Sequence, residues 1–210
     1  MGIKKVLAMV LAATVLFGSV SVSAATSSQS SYNPATGMDE KNTQMHENAE
    51  VTSKINAAGT EAEVVNASRT AKTTGNVVLD EALGPKGAVP ITAVKAGAFK
   101  PESGKKAVTV IVVKSKKQVK FAANALKDSK VKKIVVKNAK SVKLAKNALK
   151  GGQKKVKIYF STKSAAKNFK YSTKSFKGAK VTISGTKAAK KTATYKKLKK
   201  NAKKLGITVL

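Results

Sequence analysis

The feature that most constrains this chain is a gapless internal repeat. Residues 108–127 and 131–150 align 23 positions apart with 13 identities in 20. Lysine bias supplies some matches, but not the aligned Ile111/Ile134, Val112/Val135, Asn124/Asn147, Ala125/Ala148 and Leu126/Leu149. Each unit opens on a short β-branched run, as in Ile134-Val135-Val136, which predicts a strand. Val142, Leu144, Ala145, Ala148 and Leu149 are then expected to turn inward on a helical or 3₁₀ segment, with lysines facing out. One such unit cannot bury its own apolar face, whereas stacked units can. Weaker copies flank the pair. Upstream is Val94-Lys95-Ala96-Gly97-Ala98-Phe99-Lys100; downstream are Val156 to Phe160, and Ser175 to Gly178 followed by Val181 to Ile183. The pattern predicts an α/β solenoid over 85–185 with one parallel strand per repeat, at 111–113, 134–136, 158–160 and 181–183.

The core of such a stack has to be aliphatic, because aromatic residues are 5% of the chain and Trp is absent. With no Cys there is no disulfide, no thiolate metal site and no cysteine nucleophile. Stability is expected to come from stacking instead of staples.

The flanks read differently. Residues 1–24 have the layout of a secretory signal peptide. Lys4 and Lys5 form the positive region, Val6 to Phe17 the apolar one, and small residues at 22–25 place cleavage near Ala24 or Ala25. A secreted product is expected, released or held non-covalently at the cell surface, since no Leu-Pro-x-Thr-Gly pattern stands near residue 210. Residues 25–84, rich in Ser, Thr, Asn and Ala, are expected to be a flexible polar linker, disordered over 26–75 apart from a transient helix near 61–66. In the tail, 186–210, Tyr195, Leu198, Ala202 and Leu205 make one stripe on a helix of about 187–205. Thr186 is placed to cap it, Gly206 to end it, and 207–210 to add a strand. A cap packed on the repeats is expected, with a membrane-binding helix as the other use of that stripe.

A family resemblance rests on two stretches. Gly87-Ala-Val-Pro-Ile-Thr-Ala-Val-Lys-Ala-Gly-Ala-Phe99-Lys is similar to the opening of the array in BspA-like leucine-rich-repeat proteins, which are secreted or surface proteins of bacteria. Lys146-Asn-Ala-Leu149-Lys-Gly-Gly-Gln-Lys-Lys-Val-Lys-Ile158 resembles their Lys-rich closing repeats. The 23-residue period lies in the leucine-rich-repeat range. Asp128-Ser129 and Gly151-Gly152 stand where the family usually has Cys or Asn. The resemblance implies a short leucine-rich-repeat array and a role in adhesion or surface interaction.

No catalytic constellation is legible. His46, the one histidine, lies in the linker without partner ligands. Glu61 with Glu63, and Asp80 with Glu81, are not spaced as an opposed pair across a cleft. Gly151-Gly152 lacks the Gly-x-x-x-x-Gly-Lys-Ser/Thr phosphate-loop pattern and reads as a turn. The expectation is a non-enzyme without cofactor or metal. What remains is charge: 42 Lys plus Arg against 10 acids, a net +32, with 33 Lys and only Asp128 among the acids from 105 to 210. Such a surface attracts polyanions, and Lys in place of Arg favours diffuse, salt-sensitive attraction over base reading. Diffuse contact is expected at Lys114, Lys116, Lys117, Lys132, Lys133, Lys137, Lys154, Lys155, Lys196, Lys197, Lys199 and Lys200. Anionic cell-wall polymers or glycans are the expected partners, alongside a protein receptor. The alternative is a secreted nucleic-acid or membrane-binding basic protein. Few stacking aromatics count against single-strand binding.

Overall fold

The computed structural model describes residues 32–33, 38–39, 44–45, 51–67, 75–84, 87–104, 106–138 and 140–210. The chain order begins with β1 (Tyr32–Asn33), β2 (Met38–Asp39), β3 (Gln44–Met45), β4 (Thr52–Ile55), β5 (Ala62–Asn66), β6 (Asn76–Leu79), β7 (Glu81–Gly84) and β8 (Gly87–Val94). The repeat region follows: β9 (Val110–Val113), β10 (Val119–Phe121), β11 (Lys133–Val136), β12 (Val142–Leu144) and β13 (Lys155–Phe160). Then come α1 (Lys163–Lys167), β14 (Lys180–Gly185), α2 (Lys187–Lys190), α3 (Ala193–Lys200), α4 (Ala202–Leu205) and β15 (Ile207–Val209).

These strands form two main sheets. One runs β12-β10-β8-β5-β4-β3, with β7 antiparallel on β8; the other runs β15-β14-β13-β11-β9-β6 and is parallel throughout. From β8 to β13 the chain alternates between them, so each 23-residue unit supplies a strand to both. β1 and β2 form a separate antiparallel pair.

This corrects the expected fold. The four segments expected as strands lie within β9, β11, β13 and β14, and Val112 sits beside Val135 in parallel register. The one-strand-per-repeat solenoid does not hold: the molecule is an α/β fold of two mostly parallel sheets with few helices. The reason is local. Val119-Lys120-Phe121 and Val142-Lys143-Leu144 alternate buried and exposed, the period of a strand. The Ala-rich run after each is a turn, because Asn124 and Asn147 sit at φ 57° and 60°, which an α-helix cannot accommodate.

The disordered linker is also overturned where the structure describes it. β4 to β7 fall within 25–84, and 61–66, expected as a transient helix, carries β5. Val51, Ile55, Val64, Val77 and Leu79 are fully buried or nearly so. Alternate positions along these strands turn inward, and that apolar burial is enough to order a segment that looks polar on average. The signal peptide and His46 lie outside the described residues.

The two sheets share one core. In the second sheet Val77, Ile111, Ile134, Ile158 and Ile183 form one inward row in register, and Leu79, Val113, Val136 and Phe160 the next. In the first, Val64, Val94, Phe121 and Leu144 align. The expected single tail helix is three short ones. Thr186 and Thr192 cap the first two by accepting from the amides of Ala189 and Tyr195, and Gly206 exits at φ 65°. Tyr195, Leu198 and Leu205 are buried, with the Tyr195 ring edge-on to Phe160 at 6.4 Å. The apolar stripe is thus taken up by the core, and β15 extends the second sheet beside β14.

Candidate polyanion-binding site

Strand alternation sets the site. Because Ile134, Val156 and Ile158 point into the core, Lys133, Lys155 and Lys157 must point out. Parallel register then makes Lys133 and Lys157 neighbours, and Lys155 and Lys180 neighbours. Lys132 precedes β11, and its carbonyl accepts from the Lys157 amide at 2.8 Å. The Gly151–Gly152 turn brings up Lys154, while Gln153 anchors the turn through Nε2 to the Ser129 carbonyl at 3.1 Å. The result is an open pocket of about 860 Å³ lined by Lys132, Lys133, Gly152, Gln153, Lys154, Lys155 and Lys157.

No carboxylate lines this pocket, so its lining holds five lysines without a counter-charge. Their mutual repulsion is relieved when an anion enters. The Lys133 ammonium also lies 5.9 Å from the centre of the Tyr159 ring, near the outer limit of a cation–π contact.

The other lysines expected to act are dispersed, and all are exposed. Lys114 and Lys137 follow paired residues, Val113 and Val136, at the far ends of β9 and β11. Lys116 is ion-paired with Glu81 at 2.9 Å, and that hydrogen bond and charge raise its pKa. Lys117 shares the turn with Lys116. Lys196, Lys199 and Lys200 lie on α3, and Lys197 faces a second groove near the tail. The expected set therefore splits. Lys132, Lys133, Lys154 and Lys155 converge; the rest do not join them.

Sequence reasoning missed Lys157. It pairs with Lys133 at a spacing of 24, one more than the repeat, because one extra residue lies between Gly152 and Lys157. The alternation Lys155-Val156-Lys157-Ile158 was the signal that could have found it. Also missed were Lys143, Lys146, Lys170 and Lys204 around the second groove, which unite only in three dimensions.

Glu63 faces Lys54 across β4 and β5, and Glu61 is exposed. No group of three or more His, Asp or Glu among the described residues could hold a metal ion, and none of the described helices is long and apolar enough to cross a membrane. Comparison with protein-family models, with curated proteins and with solved structures yields no match.

Proposed function

We propose that this chain is a secreted, non-enzymatic, cationic surface-interaction protein that binds anionic cell-wall polymers or glycans. The observation that carries the reading is the pocket on the second sheet, where five lysines meet with no acid in the lining. A polymer with spaced negative charges neutralises several of them at once and releases its own counter-ions, so binding weakens as salt rises. The composition supports the same reading: 33 lysines against one acid from 105 to 210 extend the attraction well beyond the pocket.

The test is a salt-titrated pull-down of the purified full chain on cell walls, before and after their anionic polymers are stripped. Binding is expected to be lost on stripping. The triple variant Lys133→Gln, Lys155→Gln, Lys157→Gln is expected to lower the slope of log affinity against log salt by about two to three, near one per phosphate-like contact. Undiminished binding to stripped walls would refute the reading. So would DNA or RNA competing far better than a wall polymer of equal charge, which would return nucleic acid as the partner.

A further inference from the structure

A second groove has a different chemistry. It runs between β12, the 169–173 loop and helices α3 and α4, with a volume of about 970 Å³. Its floor is apolar and ringed: Leu144, Phe169 and Tyr171 line it, with Tyr171 stacked on Phe169 at 5.6 Å and 28°. Phe169 is 4% exposed, so Tyr171, half-buried, is the ring that reaches solvent. Five exposed lysines surround this floor: Lys143, Lys146, Lys170, Lys197 and Lys204. Again no acid is present in the lining.

The walls are held in place. Lys170 pairs with Lys143 in a parallel bridge, and its carbonyl and amide bond the amide of Leu144 at 2.9 Å and the carbonyl of Val142 at 3.0 Å. The buried Ser175 hydroxyl donates to the Leu144 carbonyl and accepts from the Ser172 amide, both at 2.8 Å. On the helical side Thr194 donates to the Lys167 carbonyl at 2.8 Å. A groove fixed at this many points is present before any ligand arrives.

We propose that this groove is a subsite for one sugar unit of an acidic polysaccharide. The sugar's C–H face would pack on the Tyr171–Phe169 floor while its acidic groups meet the surrounding lysines. This rests on the polyanion reading above and names the class of polyanion. The lysines demand negative charge, and the floor demands a ligand that also has an apolar face. Inorganic polyphosphate and a glycerol-phosphate chain have the first without the second. A pyranose ring bearing carboxylate or sulfate has both. Single-stranded nucleic acid has both as well, but its affinity builds on several stacked bases, and this floor offers one accessible ring.

The test titrates the full chain with oligogalacturonate, with inorganic polyphosphate and with a single-stranded DNA oligonucleotide of matched charge, at about 0.05 and 0.3 M salt. At the higher salt oligogalacturonate is expected to keep binding about tenfold more tightly than polyphosphate. Tyr171→Ala should remove that advantage and leave polyphosphate binding unchanged, while Tyr171→Phe keeps it. Lys197→Gln with Lys204→Gln, both on the exposed surface, should weaken oligogalacturonate several-fold and decides the matter if Tyr171→Ala does not fold. Equal loss of both ligands with salt overturns the sugar subsite and leaves diffuse attraction intact. Failure of polyphosphate to bind even at low salt overturns the polyanion reading as well. Tightest binding by the oligonucleotide replaces the sugar with a base.

Discussion

Tyr195 ties the tail to the core by both of its ends. Its ring packs edge-on against Phe160, and its hydroxyl donates to the Leu210 carbonyl. Burial pushes the hydroxyl's pKa above the ordinary value of 10.0. Between those two values the unfolded chain loses the tyrosine proton while the folded chain keeps it, so folding stability falls as pH climbs past about 10. The wild type alone does not isolate this effect. Tyr195→Phe does. At neutral pH the variant should be less stable by about 0.5–1.5 kcal/mol for the lost hydrogen bond, roughly 1–6 °C of melting temperature for a chain this long. Above pH 10 that gap should shrink, because only the wild type carries the ionisation penalty. Thermal melts of both proteins from neutral pH into alkali measure it, and a gap that stays constant would show that the buried hydroxyl is not what titrates.

At the scale of elements, the turns between the sheets are where the sequence was most and least readable. Gly151 and Gly152 read as a turn and form one, for two different reasons. Gly151 sits at φ 79°, a left-handed conformation also adopted by its counterpart Asp128 at 58°. Gly152 has no such need; a Cβ there would lie 2.5 Å from the Leu126 carbonyl oxygen of the preceding unit. Gly152→Ala should therefore destabilise by about 1–3 kcal/mol as backbone shifts to relieve the clash. Denaturant unfolding checks this, and a neutral result would mean that the units are not stacked so tightly. The β-branched strands were legible because Ile-Val-Val runs have no competing reading. The second strand of each unit was not, since three alternating residues beside an Ala-rich turn carry too little period to be separated from a helix. The same shortness hid β4 and β5, which carry a single isoleucine and one Val64-Val65 pair among Ala and polar residues. In the site, the Lys132-Lys133 and Lys154-Lys155 doublets stood out along the chain, whereas Lys157 joins them through a register of 24 that only the turn length explains.

For the molecule as a whole, charge count and charge placement act differently. The count, 33 lysines and one acid from 105 to 210, was visible from the start. Placement follows from the sheets, which force alternate residues outward and stack them in register, so that like charges meet at Lys133 and Lys157, and at Lys155 and Lys180. Neighbouring strands lie about 4.8 Å apart, well inside the Debye length of about 10 Å at 0.1 M salt. The folded state is therefore strained by its own lysines more than the expanded unfolded chain is, and screening should relieve the folded state more. Sodium chloride raised from about 0.02 to 0.5 M is expected to raise the melting temperature by several degrees, a direction opposite to that of a protein held by surface ion pairs. An anionic polymer should do the same at far lower concentration, because it binds the folded array and not the dispersed chain. The triple Gln variant at Lys133, Lys155 and Lys157 should respond less to both, since it lacks the densest part of the repulsion. A melting temperature indifferent to sodium chloride would mean that these lysines stay far enough apart to ignore one another. The second-sheet pocket would then have no concentrated potential with which to draw in a polymer.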